Sequence, residues 1–209
     1  MLYGIYGASG KRPKKVIENM KIVFATNNAH KLSEVKAVLG EDFELVTLKE
    51  VGIVEDIPET GETLDENASI KARYVYERTG LDCFADDTGL EVEALNGAPG
   101  VRSARYATDG HDFAANNRKL LSELEGITNR KARFRTVISL IRSGVERHVE
   151  GIVNGHIATK ESGCEGFGYD PLFVPDGKSV TFAEMTAEEK NRISHRGRAV
   201  AELVKVLTK

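Results

Sequence analysis

Cysteine is scarce in this 209-residue chain: Cys83 and Cys164 are its only two, which allows one disulfide at most, and neither sits in the spacing of a zinc cluster. Such usage fits a reduced, cytoplasmic setting. No apolar run approaches membrane length, so a spanning helix is not expected. An excess of one charge is missing as well. With 29 basic against 32 acidic side chains, the molecule has no general field for coating a nucleic acid or an anionic membrane, and any anion site must be local. Signs of disorder or of a repeat array are equally lacking. The length suits one large domain or two small lobes around a cleft, with a sizeable core.

The opening segment, MLYGIYGASGKRPKKVIEN, carries Gly and Lys/Arg without apolar periodicity, and its charges follow the apolar part, unlike those of a secretory signal. Its GASGK string fails as a phosphate loop, which needs Gly where Ile5 stands and Ser or Thr where Arg12 stands. Residues 1–19 therefore read as a leader or extension outside the fold, with Met20 as an internal start and 20–209 as a single bilobal domain.

From Lys21 the pattern sharpens. KIVFAT is a short apolar run, NNAH is polar, and KLSEVKAVLG places Leu32, Val35, Val38 and Leu39 at helical spacing with Gly40 as a stop. TLDENASIKARYVYERTG opens with a capping box, Thr63 and Glu66, and puts Asn67 and Lys71 on one helical face. CFA reads as a brief strand, LEVEAL alternates, GAPG turns, and DFAANNRKLLSELEG is amphipathic. ARFRTVISLI and RHVEGIVNGHIA form a hairpin candidate across RSGVE. A second capping box, Thr186 to Glu189, precedes a terminal helix striped by Val200, Leu203, Val204 and Leu207. The expectation is an α/β protein with an elongated mixed central sheet flanked by helices.

Four stretches could carry chemistry. FATNNAHK leads from a strand into a helix, where free backbone N–H groups and Lys31 suit a phosphate; the same residues equally suit an N-cap by Asn27 or Asn28 with Lys31 in solvent. In ADDTG, Asp86 and Asp87 repel each other unless a cation is near, and hard oxygen donors suit magnesium shared with a phosphate; a capped turn is the alternative. An aspartic protease would need a second Asp-Thr-Gly, which the chain lacks, and neighbouring aspartates on a strand point to opposite faces, so both can act together only if the backbone leaves the strand. GFGYDP offers Phe167 and Tyr169 as a shelf for a flat base, or simply a core loop. KNRISHRGR gathers Lys190, Arg192, His195, Arg196 and Arg198 around Ser194, a credible N-cap, as an anion or base-edge site.

Taken in order, TNNAHK, ETG, ADDTG, GFGYDP, EEK and SHR run from residue 26 to 196, and this arrangement resembles the inosine triphosphate pyrophosphatase family. The resemblance implies an inosine triphosphatase-like fold with two lobes around the cleft. It further implies magnesium-dependent hydrolysis of ITP, dITP and XTP to the monophosphate and pyrophosphate, a cleansing of the nucleotide pool. By that resemblance Thr26, Asn27, Asn28, Ala29, His30 and Lys31 grip the triphosphate with Lys71, Thr88 is a further substrate-binding position, and Glu59, Asp86 and Asp87 hold the metal. Asp87 matches the general base, with Lys31 and Asp86 beside it as catalytic residues. Phe167, Gly168, Tyr169, Asp170, Lys190, Ser194, His195 and Arg196 match the base-binding positions. The partner implied is a small nucleotide, with neither nucleic acid nor membrane, and the family is commonly a homodimer. Asn28 departs from many relatives, and the leader has no counterpart in the shared pattern.

Overall fold

The computed structural model describes residues 20–209; the expected leader, 1–19, lies outside the described residues. The elements follow as β1 (Met20–Phe24), α1 (Ala29–Leu39), β2 (Phe43–Thr47), α2 (Leu64–Thr79), β3 (Cys83–Val92), α3 (Phe113–Glu123), β4 (Lys131–Arg142), β5 (Val145–Ile157), β6 (Phe173–Pro175), α4 (Ala187–Ile193) and α5 (His195–Leu207). One six-stranded sheet, in the order β2-β1-β3-β4-β5-β6, runs through them. β1 is parallel to β2 and β3, and the remaining pairs are antiparallel, so the sheet is mixed as expected. None of the described helices is long and apolar enough to cross a membrane.

The sheet is covered on both faces at β1, which is why Ile22, Val23 and Phe24 are all buried. Period-two alternation sorts the side chains. Ile22, Phe24 and Phe84 pack with Val35 and Leu39 of α1 and Ala199, Val200 and Leu203 of α5. Val23, Cys83 and Ala85 pack with Ala72 and Val75 of α2 on the opposite face. A further core around Leu90, Phe134, Phe173 and Phe182 lies toward the other end of β3 and β4.

β3 is longer than its sequence suggests. The expected brief strand and alternating stretch are one ten-residue strand, paired with β4 from Cys83↔Ile141 to Val92↔Ala132, with only Glu93–Leu95 leaving it as a 3-10 turn. Its other edge meets β1 only at Cys83 and Phe84, because β1 ends there and the chain turns away into α1. That edge is covered again further on, where Glu91 bridges Pro99 and the Leu90 N–H donates to Ser103 Oγ. Gly89 permits this second approach, since a Cβ there would lie 2.6 Å from the Gly100 carbonyl oxygen. The open interval between them holds the aspartates.

Candidate active site

A cleft of about 790 Å³ opens along this interval, bounded by the β1–α1 loop, the segment before α2, the 101–113 stretch, the loop after β5 and the start of α5. The β1–α1 loop is fixed by capping: Asn28 Oδ1 accepts from the N–H groups of His30 (2.9 Å) and Lys31 (3.2 Å). The N-cap reading of this stretch is thus correct, but Lys31 does not go to solvent. Its Nζ donates to Asp86 Oδ1 at 3.0 Å. Asn27 Nδ2 donates to Asp56 Oδ1 at 2.9 Å and ties the loop to the far rim.

On the α2 face, the Thr63 and Glu66 capping box starts the helix, and Asn67 and Lys71 project one turn apart. Lys71 Nζ lies 2.5 Å from Glu59 Oε1 and 3.5 Å from Asp87 Oδ1, while Asn67 Nδ2 donates to Asp87 Oδ2 at 3.3 Å. Glu59 is delivered by the ETG turn, where the Gly61 N–H donates to Asn67 Oδ1 at 2.8 Å. Burial pushes the Asp87 carboxyl above its usual range, and Lys71 and Lys31 do not fully compensate.

Asp86 faces the other way. It is 1 % exposed, with Lys31 on Oδ1 and Arg196 Nε at 3.0 Å from Oδ2. Burial alone would raise it, but Lys31, Arg196 and Lys71 overrule that and hold it well below the usual carboxylate range. The condition for both acids to act together, a backbone that leaves the strand, is not met. β3 runs straight through, and Asp86 and Asp87 serve opposite faces. Of the three carboxylates expected at a metal, Glu59 and Asp87 line the cleft and share Lys71, while Asp86 pairs with Lys31 and Arg196.

From Asp86 a row of ion pairs continues inward. Arg196 also pairs with Glu34 of α1, Glu34 Oε1 accepts from Lys190 at 2.6 Å, and Lys190 donates to Asp170 Oδ2 at 2.6 Å. Burial raises the Asp170 carboxyl despite Lys190. Arg196 Nη2 further donates to Thr88 Oγ1 at 3.1 Å. Close packing holds the cluster: a Cβ on Gly151 would lie 2.1 Å from the His195 carbonyl oxygen, so glycine in β5 lets the start of α5 lie on the sheet.

The residues expected to meet a base lie in different surroundings. Phe167 lines the cleft, its N–H donating to Asp170 Oδ2 at 2.7 Å, with Lys190 Nζ 5.1 Å and Arg196 Cζ 5.7 Å from its ring centroid. His195 is 3 % exposed and stacks on Phe134 at 4.4 Å; burial, then Arg196 and Lys190, push it well below its ordinary value, so it is neutral at pH 7. Tyr169 is instead a core ring whose hydroxyl donates to the Ser103 carbonyl at 2.9 Å. Ser194 is engaged as the N-cap of α5, accepting from the Gly197 N–H, and together with Ala29 and Asp86 it is not on the cleft wall.

Sequence reasoning missed Glu34, Arg105 and Asn117. Glu34 sits three residues after Lys31 on α1, a spacing that could have flagged it. Arg105 Nη2 reaches Glu59 Oε2 at 3.5 Å, and Asn117 Nδ2 holds the Gly168 carbonyl at 3.2 Å; neither has a local sequence signal.

Residues 22–206 match the model of the Ham1 family. A Porphyromonas gingivalis protein named dITP/XTP pyrophosphatase is 55% identical over 184 residues, 88% of this chain and 95% of that one. A protein of the same name from Christiangramia forsetii is 52% identical over 190 residues, 91% of this chain and 100% of its own. Among solved structures, a HAM1 protein from Coxiella burnetii superposes with a TM-score of 0.83 at 42% identity, covering 90% of this chain and 98% of that one.

Proposed function

This chain belongs to the Ham1 family, and on that premise we propose that it hydrolyses non-canonical purine nucleoside triphosphates (ITP, dITP, XTP) to the monophosphate and pyrophosphate. The name shared by its relatives, dITP/XTP pyrophosphatase, supports the substrate class. The observation that carries the reading is the make-up of one cleft wall, where Lys31 and Lys71 lie beside Glu59 and Asp87, and the electrostatics agree with it. Lys31 is pushed down by burial, with Lys71 and Arg196 adding to the effect beyond what Asp86 offsets, so it gains from an anion. Asp87 is pushed up by burial and gains from a cation. A phosphate chain carrying a divalent cation relieves both.

The residues fit magnesium. Glu59 and Asp87 share a wall and would hold it, since this ion takes one or two carboxylates and fills its remaining positions with water and phosphate oxygens. When bound it supplies positive charge against the phosphates. Asp87 acts as general base: it takes the proton of a water whose oxygen bonds to the α-phosphorus as the bond from that phosphorus to the bridging oxygen breaks, and pyrophosphate leaves with the electron pair. Lys31 and Lys71 balance the charge that develops. Asp86 holds Lys31 and Arg196 in place instead of touching the reacting atoms.

At the other end, Phe167 offers a stacking face, and Lys190 and Arg196 offer donors to a 6-oxo purine. The 6-amino group of adenine meets these donors with a donor of its own, which leaves buried groups unpaired and disfavours ATP. We place the enzyme in the cytoplasm as a homodimer, with 20–209 as one bilobal catalytic domain.

Release of pyrophosphate and orthophosphate is measured from ITP, XTP, dITP, GTP and ATP, with magnesium and with EDTA. Magnesium-dependent pyrophosphate from the first three supports the proposal. Stepwise orthophosphate moves the attack to the terminal phosphate, and binding without turnover leaves a nucleotide-binding module.

A further inference from the structure

His30 is the second residue of α1, and its ring lies almost parallel to that of Phe167, with centroids 5.0 Å apart and 19° between the planes. The two rings differ in how they are held. Phe167 belongs to a braced loop: its N–H donates to Asp170, Asp170 is paired with Lys190, and the neighbouring Gly168 carbonyl accepts from Asn117. His30 is exposed, and among the described residues no hydrogen bond reaches its ring nitrogens, so the stack is the contact that places it. Phe113 also meets Phe167, but at 48° and 6.0 Å, a tilt that cannot face a flat ligand squarely.

We infer that His30 and Phe167 are the two jaws of a clamp that holds the purine by both faces, an inference that rests on the nucleotide reading above. A flat ring between two others needs about 3.5 Å on each side, or roughly 7 Å in all. With centroids 5.0 Å apart, the rings must therefore separate by at least about 2 Å, which a rotation of the exposed imidazole provides while Phe167 stays braced. The neighbouring Lys31 pairs with Asp86, next in the strand to the proposed base, so one helical turn would deliver a base contact and a phosphate contact through consecutive side chains. This assigns His30 to the base, whereas its place in TNNAHK implies triphosphate.

The alternative is that His30 merely covers Phe167 and must be displaced, and the sign of a single variant separates the two. Binding of IMP and of inorganic tripolyphosphate to the full chain is measured by calorimetry for the wild type, His30→Ala and His30→Phe. The clamp requires His30→Ala to weaken IMP by about fivefold or more, the lower end of base-aromatic stacking, and His30→Phe to restore it, with tripolyphosphate affinity kept within about twofold. Unchanged or tighter IMP binding by His30→Ala overturns the clamp, and weaker tripolyphosphate binding with no rescue by Phe returns His30 to the phosphates. Thermal melts of both variants guard against misfolding. If the wild type binds neither IMP nor ITP, the nucleotide reading itself fails, an outcome distinct from failure of the clamp.

Discussion

Asp86 and Asp87 are consecutive in one strand and belong to different machines: Lys31 and Arg196 neutralise the first on the α5 face, and Lys71 and Asn67 hold the second on the α2 face. The unlike environments give the same substitution opposite consequences.

Asp87→Asn removes the proposed base. Loss of a positioned general base typically costs about 10²- to 10⁴-fold in rate, so pyrophosphate release from ITP falls by at least that lower figure. Stability is kept or improved, because the fold already disfavours the charged form of Asp87. Turnover assays beside a thermal melt check both halves, and near-normal turnover removes Asp87 from the chemistry.

Asp86→Asn leaves buried Lys31 without its carboxylate and takes one of two carboxylates from Arg196, which keeps Glu34. Breaking a buried pair from one side costs about 3 to 5 kcal/mol, which for a chain of this size is a fall in Tm on the order of 10 °C. A melt within a degree or two of the wild type contradicts the structural role assigned to Asp86.

His195 is a base whose folded pKa lies well below its ordinary 6.5. Below about pH 6.5 the unfolded chain binds a proton that the fold refuses, so stability rises with pH there and is lost as pH falls, by up to about 1.4 kcal/mol per pH unit. The contribution is flat above neutrality. Urea unfolding between pH 5 and 8 should show a slope that is shallower in His195→Asn, and identical slopes would mean the imidazole is protonated in place.

Gly61→Ala puts a Cβ 2.6 Å from Glu66 Cβ and 2.9 Å from Asn67 Oδ1, at the turn that delivers Glu59. The overpacking costs about 1 to 3 kcal/mol. Because Glu59 moves with the turn, the magnesium concentration for half-maximal activity rises as well. A stability loss with an unchanged magnesium response would show that the turn absorbs the methyl group without moving Glu59.

Much of the frame was legible in the sequence because local signals agree with it. The Thr63 and Glu66 capping box, the Thr186 and Glu189 box, Gly40 as a stop and the β4–β5 hairpin all stand where propensity and turn chemistry put them. The middle of β3 was not, since Asp86, Asp87 and Thr88 interrupt the apolar alternation by which a strand is recognised. They remain strand because helices on both sides supply polar partners, Lys71 and Asn67 from α2 and Arg196 from α5. β2 also escaped notice, as its five residues make an edge strand with no fully buried member. The site showed the same division. Residues that cluster in sequence were visible, whereas Glu34 acquires its role by contact with residues 156 and 162 positions away, a relation carried by no local pattern.

Lys31, Asp86, Arg196, Glu34, Lys190 and Asp170 alternate in sign along a single line that sums to zero. Its interior members each have two partners, so changing one position leaves its interior neighbours paired but gives the row a net buried charge. Drift in base preference through these positions must then travel by paired replacements, each restoring the alternation that the other breaks. A mutant library that randomises them singly will return mainly destabilised chains, while one that varies adjacent partners together will keep more of them near wild-type stability.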